Sequence, residues 1–191
     1  GGILADLFGA FGSIDSTLLL TTLGVVSIIL IIVYRSPFLW ILPLFTAVTA
    51  LSLAGTIIYF LAKANLIDLS GQSQGILSVL VLGAATDYAL LLISRYREEL
   101  HHHGSRFESM GIALRGVIEP IIASGSTVIA GLLVLLLSEL SSNRGLGPVG
   151  AIGIASAMVT VLTFLPALLV IFGRWIFWPK IPKFDDENAQ L

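Results

Sequence analysis

Long runs of apolar residues, separated by short polar breaks, dominate the chain. A helix that crosses a bilayer core of about 30 Å needs about 20 such residues, because every backbone N–H and C=O must be paired within the segment. Five runs meet this requirement: residues 17–34, 38–62, 73–94, 117–137 and 148–172. The pattern therefore predicts an all-α membrane protein built as a bundle of five transmembrane helices.

The breaks between the runs predict how consecutive helices are connected. Only a Ser36-Pro37 turn, preceded by Arg35, separates the first two runs, so these helices are expected to be antiparallel neighbours. Loop-forming residues mark the later connections: Gly71, Asn143, Gly145 and Pro148.

Between the third and fourth runs, Ser105 and Glu108 have the spacing of a capping box, followed by apolar residues at helical intervals. This segment predicts a short amphipathic helix on the cytoplasmic surface, with a connecting role favoured over a regulatory one.

The two ends of the chain differ from its apolar middle. Residues 1–16 are rich in glycine and contain Asp6 and Asp15, which predicts the end of an upstream, water-exposed segment. The start at Gly1 rather than Met suggests an internal piece of a longer protein. Residues 174–191 are expected to form a cytoplasmic juxtamembrane tail that ends as a solvated acidic linker.

Composition and charge exclude several functional classes. Hydrophobic residues make up 56% of the 191 residues and charged residues only 12%, too apolar for a water-soluble domain. Scattered basic residues argue against nucleic acid as a partner, and the absence of cysteine excludes disulfides and thiolate chemistry.

Eight of the ten Lys and Arg residues lie on one side of the membrane in the five-span arrangement. By the positive-inside rule this side is cytoplasmic, so the start of the chain lies outside and the tail inside.

One ionisable residue lies deep within a predicted span. Asp87 precedes Arg95, the first arginine at the cytoplasmic end, by a distance of about 12 Å at 1.5 Å per residue. An aspartate near the middle of a spanning helix costs about 2.5 to 3.5 kcal/mol on insertion scales, so it needs a partner or a water-lined cavity. The candidate partners are Tyr88, Thr86, water, or a group outside this chain. A low-dielectric site opposes the charged form of a carboxyl group, which suits Asp87 to proton relay.

Small residues predict that neighbouring helices approach the aspartate closely. Around Asp87, small residues recur on one helical face together with leucines, which predicts a buried position. The residues expected to pack near the relay are Gly83, Ala84, Ser124, Thr127 and Gly131, and span five offers a similar stripe at Gly150, Gly153 and Ala157. Tyr88 is open to two interpretations, a hydrogen-bond donor to a carboxylate on another helix or a packing residue with a satisfied hydroxyl.

No enzymatic or metal-binding motif appears in the chain. His101, His102 and His103 are consecutive, but no carboxylate arrangement fixes a metal geometry, so a solvated loop is favoured and no metal or cofactor is expected. Glu119 and Glu139 lie at span ends near water. Because nucleophile elbows, phosphate loops and paired-carboxylate signatures are missing, the sequence does not favour an enzyme.

With the Asp87-Tyr88 pair in mid-helix, residues 83–100 (GAATDYALLLISRYREEL) resemble the fourth transmembrane helix of the MmpL-type branch of the resistance-nodulation-division (RND) superfamily. Similarity continues in residues 126–131, 146–149, 165–169 and 177–179, and so covers nearly the whole chain. The resemblance implies that residues 17–173 are helices two to six of the first half of such a transporter. It also implies that residues 1–16 end a porter domain.

The resemblance implies a bacterial plasma-membrane exporter of lipids or hydrophobic compounds, driven by protons. Asp87 is then the proton carrier and Tyr88 its hydrogen-bond partner across the interface with the second transmembrane half. The partners implied are membrane lipids, protons, that second half and the porter domain. The chief alternative is a lipid-binding or regulatory module that resembles sterol-sensing domains, and a third is a purely structural scaffold.

Overall fold

The described part of the chain is built from five long α-helices. The computed structural model describes residues 2–34, 38–67, 71–178 and 181–183. The helices are α1 (Gly2–Tyr34), α2 (Ile41–Lys63), α3 (Gly71–His102), α4 (Arg106–Val134) and α5 (Ser141–Phe172). A short 3-10 helix, Leu135–Leu137, extends α4, and a second one, Gly173–Phe177, extends α5. Each long helix contains a segment long and apolar enough to cross a membrane, and no strand occurs in the described residues. The predicted all-α, five-helix membrane protein is therefore confirmed.

The first helix is longer than its apolar run. It begins at Gly2, although the segment suited to crossing a membrane is Ser16–Val33. Glycine weakens a helix by about 1 kcal/mol relative to alanine but does not forbid it, so the glycines of residues 2–16 lie within α1. The assignment of these residues to an extracytoplasmic segment remains a prediction, as does the position of residues 174–191. The predicted Ser36-Pro37 turn lies outside the described residues.

The predicted surface helix between spans three and four is not a separate element. The N-cap bond of its capping box is present, since the Ser105 side chain accepts a hydrogen bond from the Glu108 N–H at 3.5 Å. The helix that begins there then runs without a break to Val134. One buried face continues from the surface turn into the span, through Met110, Ala113, Val117 and Ile121. Continuous packing of this face explains why the chain does not stop and restart between the two segments.

The start of α5 also differs from the prediction. Asn143, Gly145 and Pro148 were expected in a loop, yet the helix begins at Ser141 and includes Pro148 within it. Gly71, another predicted loop residue, is the first residue of α3. Helix-breaking residues are tolerated in membrane helices when neighbouring helices pack around them. Here a Cβ on Gly147 would lie 2.6 Å from the Leu132 carbonyl oxygen, so α5 approaches α4 closely at this point.

Helices α3 and α5 form the centre of the bundle. Helix α5 packs against α2, α3 and α4, whereas α1 lies at the periphery and contacts mainly α3. A Cβ on Gly150 would lie 3.0 Å from Leu132 Cδ1, and one on Gly153 would lie 2.5 Å from Leu77 Cδ1. Ala157, on the same face, is fully buried. The predicted packing role of the small-residue stripe in span five is thus confirmed.

A single arginine ties the end of α5 to the end of α3. The Arg174 guanidinium donates hydrogen bonds to the carbonyl oxygens of Leu100 (2.7 Å), His103 (2.6 Å), Gly104 (3.4 Å) and Pro182 (2.8 Å). The last carbonyl groups of a helix have no partner within it, and a cation near this end also favours the helix dipole. Arg174 therefore caps α3 and fixes the 3-10 helix Gly173–Phe177 against it.

We expect Arg174→Lys to lower the free energy of unfolding by about 1 kcal/mol, because an ammonium group lacks the planar fork that reaches several carbonyls. Thermal denaturation of the purified full-length protein measures the change. Arg115→Lys is the matched control, since no described residue forms a hydrogen bond or ion pair with the exposed Arg115. Equal midpoints for the two variants would contradict the capping role of Arg174.

Candidate functional site

Asp87 lies at the middle of α3. This helix has 32 residues, and Asp87 is about 22 Å or more from either of its ends at 1.5 Å per residue. The side chain is therefore at neither margin of the helix, as its position relative to Arg95 predicted. At the depth of about 12 Å that the sequence predicts from Arg95, a short aspartate side chain cannot reach the polar headgroups.

The Asp87 side chain is exposed sideways, on the outer surface of the five-helix unit. It borders a cavity of about 410 Å³ formed with α4 and α5, where Ser124, Val128 and Ile154 line the wall. On its other side, a cavity of about 200 Å³ is lined by α1 residues that include Val26 and Leu30. The prediction that a neighbouring helix of this chain buries Asp87 is therefore wrong.

The small residues beside Asp87 explain this exposure. Gly83 and Ala84 are only partly buried, and a Cβ on Gly83 would meet no other atom within 4 Å. Because neither residue carries bulk and no helix of the described chain closes over them, the face around Asp87 is an open concave surface. Gly83 and Ala84 do line the same cavity as Asp87, so this part of the predicted set is brought together.

The structure distinguishes the two candidate hydrogen-bond partners of Asp87 on its own helix, Thr86 and Tyr88. The Thr86 hydroxyl donates to the carbonyl oxygens of Leu82 (2.7 Å) and Gly83 (2.9 Å), so its proton is directed to its own helix. Tyr88 is 9% exposed and belongs to the hydrophobic core, yet it also lines the larger cavity beside Asp87. None of the described residues donates a hydrogen bond to the Asp87 carboxylate. Its partner is therefore sought outside the described part of the chain.

The predicted small-residue stripe of α4 faces outwards rather than into the bundle. Ser124, Thr127 and Gly131 are all exposed, the Thr127 hydroxyl donates to the Ala123 carbonyl oxygen (2.8 Å), and a Cβ on Gly131 would meet nothing within 4 Å. The glycine of α4 that is packed is Gly125, where a Cβ would overlap Met158 of α5. Among the described residues, Thr127 and Gly131 therefore face away from the other helices, and Ser124 alone of the three lines the cavity at Asp87.

Two of the three consecutive histidines, His101 and His102, end α3 instead of lying in a loop, and His103 follows the helix. His102 is the last residue of the helix, and the His103 ring nitrogens lie 3.4 Å from Glu99 Oε2 and 3.5 Å from Glu108 Oε1. Among the described residues, no group of three or more His, Asp or Glu side chains has the arrangement of a metal site. His103 therefore lies between the end of α3 and the start of α4.

Comparison with known proteins places the chain in a family. The family model described as MMPL family matches residues 1–188. The chain is 51% identical over 186 residues to the membrane protein ActII-3 of Streptomyces coelicolor, covering 97% of this chain. It is 37% identical over 190 residues to the apo-petrobactin exporter of Bacillus anthracis, covering 100% of this chain. It is 33% identical over 151 residues to the sulfolipid-1 exporter MmpL8 of Mycobacterium tuberculosis, covering 78% of this chain.

These relatives are much longer than the chain itself. The chain spans 26% of the ActII-3 protein, 26% of the apo-petrobactin exporter and 14% of MmpL8. The match to the family model nevertheless extends over almost every residue described above, including the whole of α3 with its Asp87-Tyr88 pair. This multi-pass membrane chain belongs to the MMPL family.

Proposed function

We propose that this chain is the membrane module of a proton-driven exporter of lipids or other hydrophobic compounds, and that Asp87 carries the proton. The observation that supports this most directly is the combination of depth and exposure at Asp87. Its carboxyl group lies in the middle of a spanning helix, faces out of the five-helix unit, and receives no hydrogen bond from the described residues.

The energetic argument concerns what covers this carboxyl group. Left against lipid, a charged aspartate at the centre of a spanning helix costs about 2.5 to 3.5 kcal/mol on insertion scales. A second transmembrane half that covers the concave surface supplies the missing partner and removes this cost. In this arrangement Tyr88, at the edge of the same cavity, donates a hydrogen bond across the interface. Ser124, Thr127 and Gly131, with Gly83 and Ala84, then pack against the second half.

Proton uptake at Asp87 changes how favourably the two halves pack. The charged and neutral forms of a carboxyl group differ in their interaction with donors across an interface, so protonation shifts the balance between two packings. Helix α1 runs from the cavity wall at Leu30 back to Gly2. Helix α1 is therefore a rigid connection from the relay to an extracytoplasmic porter domain that precedes it. The membrane is a bacterial plasma membrane, and the tail of the chain lies on its inner side.

The names of two relatives support export as the activity. One relative is an exporter of apo-petrobactin and another an exporter of sulfolipid-1. The rival role, a lipid-binding or regulatory module, also suits a membrane helix bundle. It differs in requiring no proton movement through Asp87.

The experiment uses inverted membrane vesicles that contain the full-length protein. Mass spectrometry of culture medium, comparing the parent strain with a strain that lacks the protein, first identifies the hydrophobic compound whose release depends on it. We expect an imposed pH gradient, without ATP, to drive uptake of that compound into the vesicles, and nigericin to stop it. Uptake that is unaffected by collapse of the pH gradient would reject proton-driven export, and together with saturable lipid binding by the purified protein it would favour the lipid-binding rival.

A further inference from the structure

A third cavity lies away from Asp87, between α2 and the end of α5. It has a volume of about 310 Å³, within the roughly 300–1,000 Å³ range of small-molecule sites. Its walls are entirely apolar side chains: Phe38, Ile41, Leu42, Phe45, Leu168, Phe172, Trp175 and Ile176. The Phe38 and Trp175 rings stack at its mouth with centroids 5.5 Å apart. We call this cavity the aromatic groove.

The aromatic groove opens to the surroundings of the spanning helices. Phe45 is 54% exposed and Trp175 is 59% exposed, so both sides of the groove are accessible from outside the bundle. Ile41 and Phe45 are one turn apart on α2, so the groove extends along the helix by about 6 Å. Both α2 and α5 are long and apolar enough to cross a membrane, so the opening lies along spanning helices, and a hydrocarbon chain fits its apolar walls.

Two arginines lie close to the end of α5 that borders the groove. Gly173 follows the groove residue Phe172, and a Cβ on Gly173 would lie 3.2 Å from Arg106 Nη1, so the Arg106 guanidinium rests against this glycine. Arg174 follows directly, and its hydrogen bonds go to neutral carbonyl groups. Among the described residues, no carboxylate oxygen lies within 4.0 Å of either guanidinium. In the described part of the chain, two positive charges without a carboxylate partner therefore lie within two residues of Phe172 or against its neighbour Gly173.

We propose that the aromatic groove is a binding site for one anionic phospholipid of the surrounding bilayer. Its acyl chain lies between Phe45 and Leu168, and its phosphate lies at Arg106. Trp175 stands between the two parts, as expected for an amphipathic ring at the level where headgroups meet acyl chains. Arginine suits this role because its guanidinium binds phosphate through paired hydrogen bonds. The occupant is a component of the bilayer, so this site is independent of the relay at Asp87.

Fluorescence of Trp175 in the full-length protein tests the site. In a variant that keeps Trp175 and has every other tryptophan replaced by phenylalanine, quenching is measured in phosphatidylcholine bilayers containing brominated phosphatidylglycerol or brominated phosphatidylcholine. We expect the brominated anionic lipid to bind beside Trp175 about fivefold more strongly than the neutral one, the preference that one arginine near the membrane surface provides. Equal quenching by the two lipids would overturn the proposal.

Substitutions at Arg106 separate a specific site from general attraction to the basic end of the bundle. Arg106→Gln is expected to bring the preference close to one, whereas Arg106→Lys keeps most of it because the charge remains. Arg115→Gln, at an exposed arginine of the same helix that is distant from the groove, should leave the preference unchanged. A preference that survives Arg106→Gln, or that falls equally with Arg115→Gln, contradicts a phosphate site at Arg106. Circular dichroism of each variant verifies that the helices are retained.

Discussion

Replacing Asp87 by asparagine in the full-length protein is expected to abolish export while leaving the fold intact. Asparagine has nearly the same shape as aspartate, but its amide neither gains nor loses a proton at physiological pH, so it cannot carry a proton through the cavity. Asparagine also carries no charge that needs a partner in a low-dielectric interface, and its amide can still form hydrogen bonds there. The variant should thus be at least as stable as the wild type. Uptake driven by a pH gradient and thermal denaturation measure the two effects separately.

Two further variants serve as controls for Asp87→Asn. Asp87→Glu keeps a titratable carboxyl group but moves it by one methylene, so partial activity is expected. Glu139→Gln makes the same chemical change at an exposed carboxylate in the connection between α4 and α5, and it should export like the wild type. Full export by Asp87→Asn would refute the proton relay, even if the protein proves to be an exporter by other means.

The number of helices and the mid-helix position of Asp87 could be predicted because lipid imposes simple requirements on a chain. A spanning helix must satisfy its own backbone hydrogen bonds, so long apolar runs identify it. The position of a charge within such a run then follows from counting residues. The same reasoning located Asp87 at mid-helix, where the structure has it.

The direction in which a helical face points could not be predicted in the same way. Gly125 and Gly131 are both small residues of α4, yet only Gly125 packs inside this chain, against Met158. A stripe of small residues shows that close packing is possible but does not say against which partner. This chain spans about a quarter of the length of ActII-3. A helical face that packs inside the chain and one that packs against the rest of a longer protein therefore show the same pattern of small residues. This is why Asp87 was expected to be buried and is exposed.

Long-range contacts were a second source of error. Arg174 was counted only as a positive charge on the tail, but its guanidinium bonds the carbonyl groups of Leu100 and His103, which are distant in the sequence. Spacing rules describe neighbours within a helix and give no information about such a contact. Pro148 similarly suggested a loop, because its place within α5 depends on the packing of α4 around it.

Gly147→Ala is expected to destabilise the protein more than any other single-methyl addition at a glycine of α4 or α5. The added Cβ would lie 2.6 Å from the Leu132 carbonyl oxygen and 3.5 Å from Leu135 Cβ. A backbone atom cannot rotate away, so the two helices must separate. Overpacking of this kind costs about 1–3 kcal/mol, more than the helix propensity that alanine gains over glycine. Thermal denaturation of the purified full-length protein measures this loss.

Two other glycines provide the comparison for Gly147→Ala. A Cβ on Gly125 would overlap Met158, but a flexible thioether can move aside, so Gly125→Ala should cost less. A Cβ on Gly55 would meet nothing within 4 Å, so Gly55→Ala should raise stability by up to about 1 kcal/mol. Equal stability of Gly147→Ala and Gly55→Ala would contradict the close approach of α4 and α5. Since Gly153 holds the same α5 against Leu77 of α3, a displacement at Gly147 also disturbs the helix that carries Asp87.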